Sequence, residues 1–144
     1  MKIKISTAVN ADLKTVIRGF NSELFLQLNP PFPKVTLERF DGCKKGDIVK
    51  MNLNFILWKD EWRSDIIHHE VSTEHFLFID EGTTLPFPFS QWKHQHLIER
   101  TGDKTIITDN IEYFAKNHIL TFLLYPLLYL QFLYRKPIYK KIFG

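Results

Sequence analysis

His94 and His96 lie two residues apart in the run Trp92-Lys93-His94-Gln95-His96-Leu97-Ile98-Glu99. Lys93, Gln95 and Glu99 take one phase of a period-two pattern, and Trp92, His94, His96 and Ile98 take the other, so an extended strand turns both imidazoles toward its apolar side. The following Thr101-Gly102-Asp103-Lys104 has the chemistry of a two-residue hairpin loop. With Gly102 and Asp103 as the loop, Ile98 faces Ile107, His96 faces Asp109, His94 faces Ile111 and Trp92 faces Tyr113. A carboxylate therefore stands beside His96 on the interior face.

Four chemistries fit that grouping. A buried carboxylate is costly unless paired, so His96 and Asp109 can form a structural pair that satisfies its own hydrogen bonds. They can equally orient the polar head of an otherwise apolar ligand. As catalytic candidates, His96 would be a general base positioned by Asp109, although no nucleophile accompanies them. Metal binding needs a third ligand beside His94 and His96; no spacing singles one out from His68, His69 or His75, so no metal site is expected. Dinucleotide, phosphate-loop, zinc-protease, nucleophile-elbow and paired-cysteine motifs are absent from the sequence, and no cofactor is expected. Cys43 sits in a lysine-bearing turn where positive charge would lower its pKa, although an ordinary turn residue is the simpler reading.

The elements that hold this hairpin read as follows. Lys2-Ile3-Lys4-Ile5 opens a half-buried strand. Asn10 suits a helix N-cap, Gly19 interrupts the pattern, and a second short helix spans Ser22–Leu28. Asn29-Pro30-Pro31-Phe32-Pro33 cannot continue it. From Lys34 the period is two: a strand at Val35–Glu38, a turn bracketed by Gly42 and Gly46, and a long strand whose apolar face is Val49, Met51, Leu53, Phe55 and Leu57. Lys59-Asp60-Glu61 is expected to turn the chain. Further strands follow near Trp62–Val71, Glu74–Asp80, Phe89–Glu99 and Thr105–Phe114.

The run Ile119–Tyr134 is apolar nearly all round, and 16 helical residues span about 24 Å against a hydrocarbon core of about 30 Å. It is too short to cross a membrane and is interrupted by Pro126. One sheet face cannot cover such a cylinder, so a homodimer through Ile119–Tyr134 is expected. An antiparallel sheet of seven strands curls, and this helix is the body available to fill its concave side. Between them a cavity forms, with Met51, Phe55, Trp92, Tyr113 and Tyr129 as its candidate walls.

Composition sets the outer bounds. With 144 residues, 44% of them apolar and 15% aromatic, the chain is one domain over 1–144 with an ample core. The net charge of +3 comes from Arg135, Lys136, Lys140 and Lys141, and the remainder carries 15 basic against 16 acidic groups. No basic face suited to nucleic acid results. The tail reads as a solvated helix end or a weak membrane-surface contact. A single cysteine and charged residues at the start point to a reducing, cytoplasmic setting.

The element order resembles that of the START-like, or SRPBCC, superfamily of pollen-allergen-like, lipid-transfer and polyketide-cyclase proteins, in particular its small bacterial stand-alone members. The residues that carry the resemblance are Glu23-Leu24-Phe25 with Leu28-Asn29-Pro30-Pro31, Arg39-Phe40-Asp41-Gly42 with Gly46-Asp47, Trp92 to His96, Thr108 to Tyr113, and Phe132 to Arg135. The resemblance implies an α+β helix-grip fold: a curved seven-stranded antiparallel sheet, two short helices after the first strand, and a long C-terminal helix on the concave face. It implies an interior apolar pocket, but the fold hosts several functions. Three readings stay open. The leading one is binding or transport of a small hydrophobic molecule or lipid without catalysis, with Met51, Phe55, Trp92, His94, His96, Asp109, Tyr113 and Tyr129 as ligand-binding candidates. The others are a cyclase- or hydratase-type enzyme using His96 and Asp109, and an interaction protein pairing through its C-terminal helix.

Overall fold

A computed structural model describes residues 1–144. The strands are β1 (Lys2–Val9), β2 (Lys34–Phe40), β3 (Ile48–Asn54), β4 (Lys59–Val71), β5 (His75–Thr84), β6 (Phe89–Thr101) and β7 (Lys104–Ala115), and the helices are α1 (Leu13–Gly19), α2 (Ser22–Leu28), α3 (His118–Leu133) and α4 (Arg135–Phe143). All strands pair antiparallel in one sheet of order β1-β7-β6-β5-β4-β3-β2. This is the expected meander, with β1 closing onto the last strand, and the expected fold class holds.

Local chemistry explains most boundaries. Burial alternates strictly along β1, with Lys2 and Lys4 outward and Ile3 and Ile5 in the core. Each such buried isoleucine contributes roughly 1.5–3 kcal/mol. Asn21 caps α2 by accepting from the Leu24 N–H at 3.0 Å. The cap of α1 is Asp12, which accepts from the Thr15 N–H at 2.8 Å, and not Asn10. Asn10 and Ala11 are held by the end of the chain instead, donating to the Gly144 and Phe143 carbonyls at 2.8 Å each, so the helix starts later.

Two other expectations are corrected. β3 ends at Asn54, and the reversal is made by Phe55–Trp58 with Lys59 already back in the sheet opposite Asn54. Asn54 accepts from the Ile56 N–H at 2.9 Å, and Ile56 adopts φ 75°. Apolar alternation through Leu57 hides this turn, because the turn itself is apolar. The basic tail, in turn, is no solvated end. Tyr134 breaks the C-terminal helix in two, and α4 docks with Tyr139 and Phe143 buried in the same core as α1 and α2, leaving Lys140 and Lys141 in water. α3 runs unbroken through Pro126 and packs on β7 and β1. No helix is long and apolar enough to cross a membrane.

The buried residues form two clusters. One gathers α1, α2 and α4 over β4–β7, around Val16, Phe78, Ile98 and Tyr139. The other gathers α3 over β1, β6 and β7, around Ile3, Trp92, Tyr113 and Phe132. His94 and His96 stand at the seam between them.

Candidate functional site

A cavity of about 350 Å³ opens between the sheet and the helices. Its apolar wall includes Leu24 and Leu28 from α2, Val49, Met51 and Leu53 from β3, and Leu128 and Phe132 from α3. Its polar lining includes Ser64, Asp80, His94, His96 and Arg135.

The hairpin register sets the polar wall. His96 lies opposite Asp109 and His94 opposite Ile111 on β7, as the two-residue loop requires, while on the other side Asp80 of β5 lies opposite His94. Side-chain bonding follows the diagonals. His94 Nε2 is 2.8 Å from Asp109 Oδ1, and His96 Nε2 is 2.8 Å from Asp80 Oδ2. The expected His96–Asp109 pair is therefore not a hydrogen bond: His96 Nδ1 stands 3.8 Å from Asp109 Oδ1. The two imidazoles lie over one another, with centroids 3.6 Å apart, so each reaches past its direct neighbour. Phe78 stacks on the other face of His96 at 4.1 Å and 8° between planes. Phe132 meets His94 edge-on at 5.2 Å.

Behind the wall, Asp109 gathers cations and donors. Arg135 Nη1 donates to Asp109 Oδ1 at 3.2 Å, and the Tyr139 hydroxyl reaches Oδ2 at 3.5 Å. Arg135 also lies over the Phe132 ring at 4.4 Å. Burial pushes the Asp109 carboxyl up, but the Arg135 guanidinium and the His94 N–H outweigh it and hold the group well below the usual carboxylate range. Burial likewise raises Asp80, and the His96 hydrogen bond with the two nearby imidazoles brings it below its ordinary value. Burial first, and the neighbouring His96 second, lower His94 to about 4, so it is neutral at pH 7. Its Nε2 then carries the proton that Asp109 accepts, which leaves Nδ1 as a lone-pair acceptor. Burial pushes the Cys43 thiol up to about 12, with Asp47 and Asp80 adding to the rise, which corrects the expectation of a lowered value.

Of the candidates named from the sequence, Met51, Phe55, Trp92, His94 and His96 line the cavity. Asp109 lies one layer behind. Tyr113 is buried in the α3 core with its hydroxyl donated to the Thr121 carbonyl at 2.7 Å, and Tyr129 stacks on Tyr125 on a half-exposed part of α3; neither lines the cavity. Asp80, Arg135 and Tyr139 are site residues that the sequence does not announce. Asp80 falls at the expected end of a strand and Arg135 in the tail charge; the one signal in the sequence is that a buried Asp109 needs more counter-charge than a neutral histidine gives.

No protein-family model matches the sequence, and no curated protein does. Solved structures do. The ginseng major latex-like protein 151 from Panax ginseng superposes with a TM-score of 0.59 at 14% identity, covering 93% of this chain and 95% of that one. A START superfamily protein from Mycobacterium smegmatis gives 0.59 at 12%, covering 88% of each chain. The fold is a helix-grip fold. The helix-grip architecture also matches one half of the di-domain ARO/CYC StfQ from the steffimycin biosynthetic pathway, at a TM-score of 0.70 and 10% identity over 99% of this chain and 50% of that one. At these identities the likeness speaks for the fold, and the site must be argued from its own residues.

Proposed function

We propose that this helix-grip protein binds a small, mainly apolar molecule or lipid in the cavity between β3–β6 and the helices. The observation that carries the reading is the cavity: about 350 Å³, apolar over most of its wall, with the cluster of Asp80, His94 and His96 set into that wall. That volume falls within the range of about 300–1,000 Å³ typical of small-molecule sites, and a few converging polar groups on an apolar wall are what fix a ligand's orientation. The occupant's polar end meets Asp80, His96 and Arg135, and its apolar body lies against Met51, Leu53 and Leu128.

Native mass spectrometry of freshly purified protein is expected to show an added mass that organic extraction removes. Replacing Met51 by Trp fills the apolar half, and His96→Ala removes a polar anchor; each is expected to reduce occupancy at least about tenfold, the loss of one good contact. Bare protein from mild preparations, with no affinity for a panel of fatty acids, sterols and polyketide-like aromatics, would overturn the reading. The enzymatic alternative would draw on His96 with Asp80 as its hydrogen-bonded partner, and turnover of a bound molecule is its test.

A second reading concerns the outside of α3. Ile119, Phe122, Leu123, Leu127 and Leu130 are all more than half exposed, a contiguous apolar stripe of the kind that seldom faces water in a monomer. It supports association of two copies through Ile119–Tyr134. Sedimentation is expected to give a dimer that Leu123→Glu dissociates; a monomer at high concentration would end this reading.

A further inference from the structure

Each imidazole of the seam turns one nitrogen toward Asp80 and the other toward Asp109. His94 places Nδ1 3.7 Å from Asp80 Oδ2 and Nε2 2.8 Å from Asp109 Oδ1; His96 places Nε2 2.8 Å from Asp80 Oδ2 and Nδ1 3.8 Å from Asp109 Oδ1. Asp80, His94 and His96 reach the cavity wall, and Asp109 does not. One ligand atom from each of those three lies within 4.8 Å of the others. The sequence offered two histidines and lacked a third ligand; β5 supplies it, because Asp80 pairs directly with His94.

We propose that Asp80, His94 and His96 bind a divalent first-row transition-metal ion such as zinc, through Asp80 Oδ2, His94 Nδ1 and His96 Nε2, with Asp109 as the carboxylate that orients His94 from behind. The site stands on these side chains and does not depend on what fills the apolar part of the cavity.

Three observations converge on it. The separations of 2.8 and 3.7 Å from Asp80 to the two nitrogens bracket the roughly 3.3 Å expected between ligands each about 2.0–2.1 Å from one tetrahedral zinc ion. For His94, Asp109 supplies what metal-bound histidines almost always have, a carboxylate on the second ring nitrogen, at 2.8 Å from Nε2. It is itself held by Arg135 and Tyr139. Finally, His96 Nδ1 is buried without a hydrogen-bond partner, and an ion held at Nε2 leaves Nδ1 as the ring nitrogen turned toward Asp109 Oδ1, 3.8 Å away. The charge balance agrees, since Asp109 is paired with the Arg135 guanidinium whereas Asp80 meets only the two imidazoles. Two nitrogens and one oxygen are a ligand set for zinc or ferrous iron rather than for calcium or magnesium, and the remaining coordination side faces the cavity.

Zinc chloride titrated calorimetrically into the chelator-treated full chain tests this. One ion per chain is expected, with Asp80→Asn and His96→Gln each weakening it at least about tenfold, and Asp109→Asn weakening it about 10–100-fold as an outer-sphere loss. The exposed trio His68, Glu70 and His75 is the rival: Glu70 lies 3.0 Å from His68 and 3.4 Å from His75, and the double variant His68→Ala/His75→Ala is expected to leave the affinity unchanged. No uptake at about 100 μM zinc, or uptake lost in that double variant and kept in His96→Gln, overturns the proposal. Should the inner variants fail to fold, cobalt(II) added to the unaltered protein decides: paramagnetic shifts on the His94 and His96 ring protons support the site, and shifts confined to His68, His69 and His75 overturn it.

Discussion

His94 is a neutral imidazole in a place where the unfolded chain would hold a protonated one at mildly acid pH. Its folded value of about 4 lies below the ordinary 6.5, so between pH 6.5 and 4 only the unfolded state gains a proton at this residue. Unfolding is thereby favoured, and stability falls as pH drops through that window and levels off below it, a loss of about 3 kcal/mol if the full shift is expressed. The carboxylates are depressed in the same direction from a lower starting value: Asp109 and Asp80 are held below their unfolded values, so their contribution is complete above about pH 4 and is lost as the pH falls further. A melting temperature that declines in two stages, first from pH 6.5 and again below 4, is the expected profile for protein kept in chelator. His94→Gln is expected to remove the first stage and leave the second. A wild-type profile flat from pH 7 to 4.5 would contradict the assignment of His94 as neutral and buried.

At the level of the elements, the hairpin of β6 and β7 carried its information in plain view: a Gly-Asp loop and two-residue alternation were enough to place His94, His96 and Asp109 on one face in the register observed. Asp80 was not legible in the same way. The run Asp80-Glu81-Gly82 has turn composition, yet β5 continues through it to Thr84. Gly82 is what the close packing there demands, since a Cβ at that position would collide with Leu85 and crowd Trp92. The end of the chain is hidden in the sequence for a related reason. Four basic residues suggest solvent, but α4 alternates them with Ile138, Tyr139 and Phe143, and at nine residues the run is too short for a helical period to declare itself. Gly19 shows how tightly α4 is seated. A Cβ there would lie 2.5 Å from the buried Phe143 ring. Gly19→Ala is therefore expected to destabilise the protein by about 1–3 kcal/mol, as overpacking does, rather than to stabilise it as the same change does in an open helix. Urea denaturation measures the sign.

The molecule as a whole joins two cores through a polar seam and leaves a hollow beside it. A void of this kind lowers stability, so filling it should stabilise the fold while abolishing what the void is for. Met51→Trp is expected to stabilise the fold by up to about 2 kcal/mol, seen as a higher denaturation midpoint, in the same protein that loses its bound molecule; a variant that loses both would mean that the wall, and not the space, had been damaged. Two of the three tryptophans bear on the same hollow. Trp62 and Trp92 form part of its wall and meet edge to face at 4.9 Å, whereas Trp58 is more than half exposed and stacked on Phe55 at the β3–β4 reversal. The protein thus carries a built-in optical reporter. Its emission should divide into a red, acrylamide-quenchable component from the loop tip and a blue, shielded one from the interior, and only the latter should change colour or intensity when a guest enters.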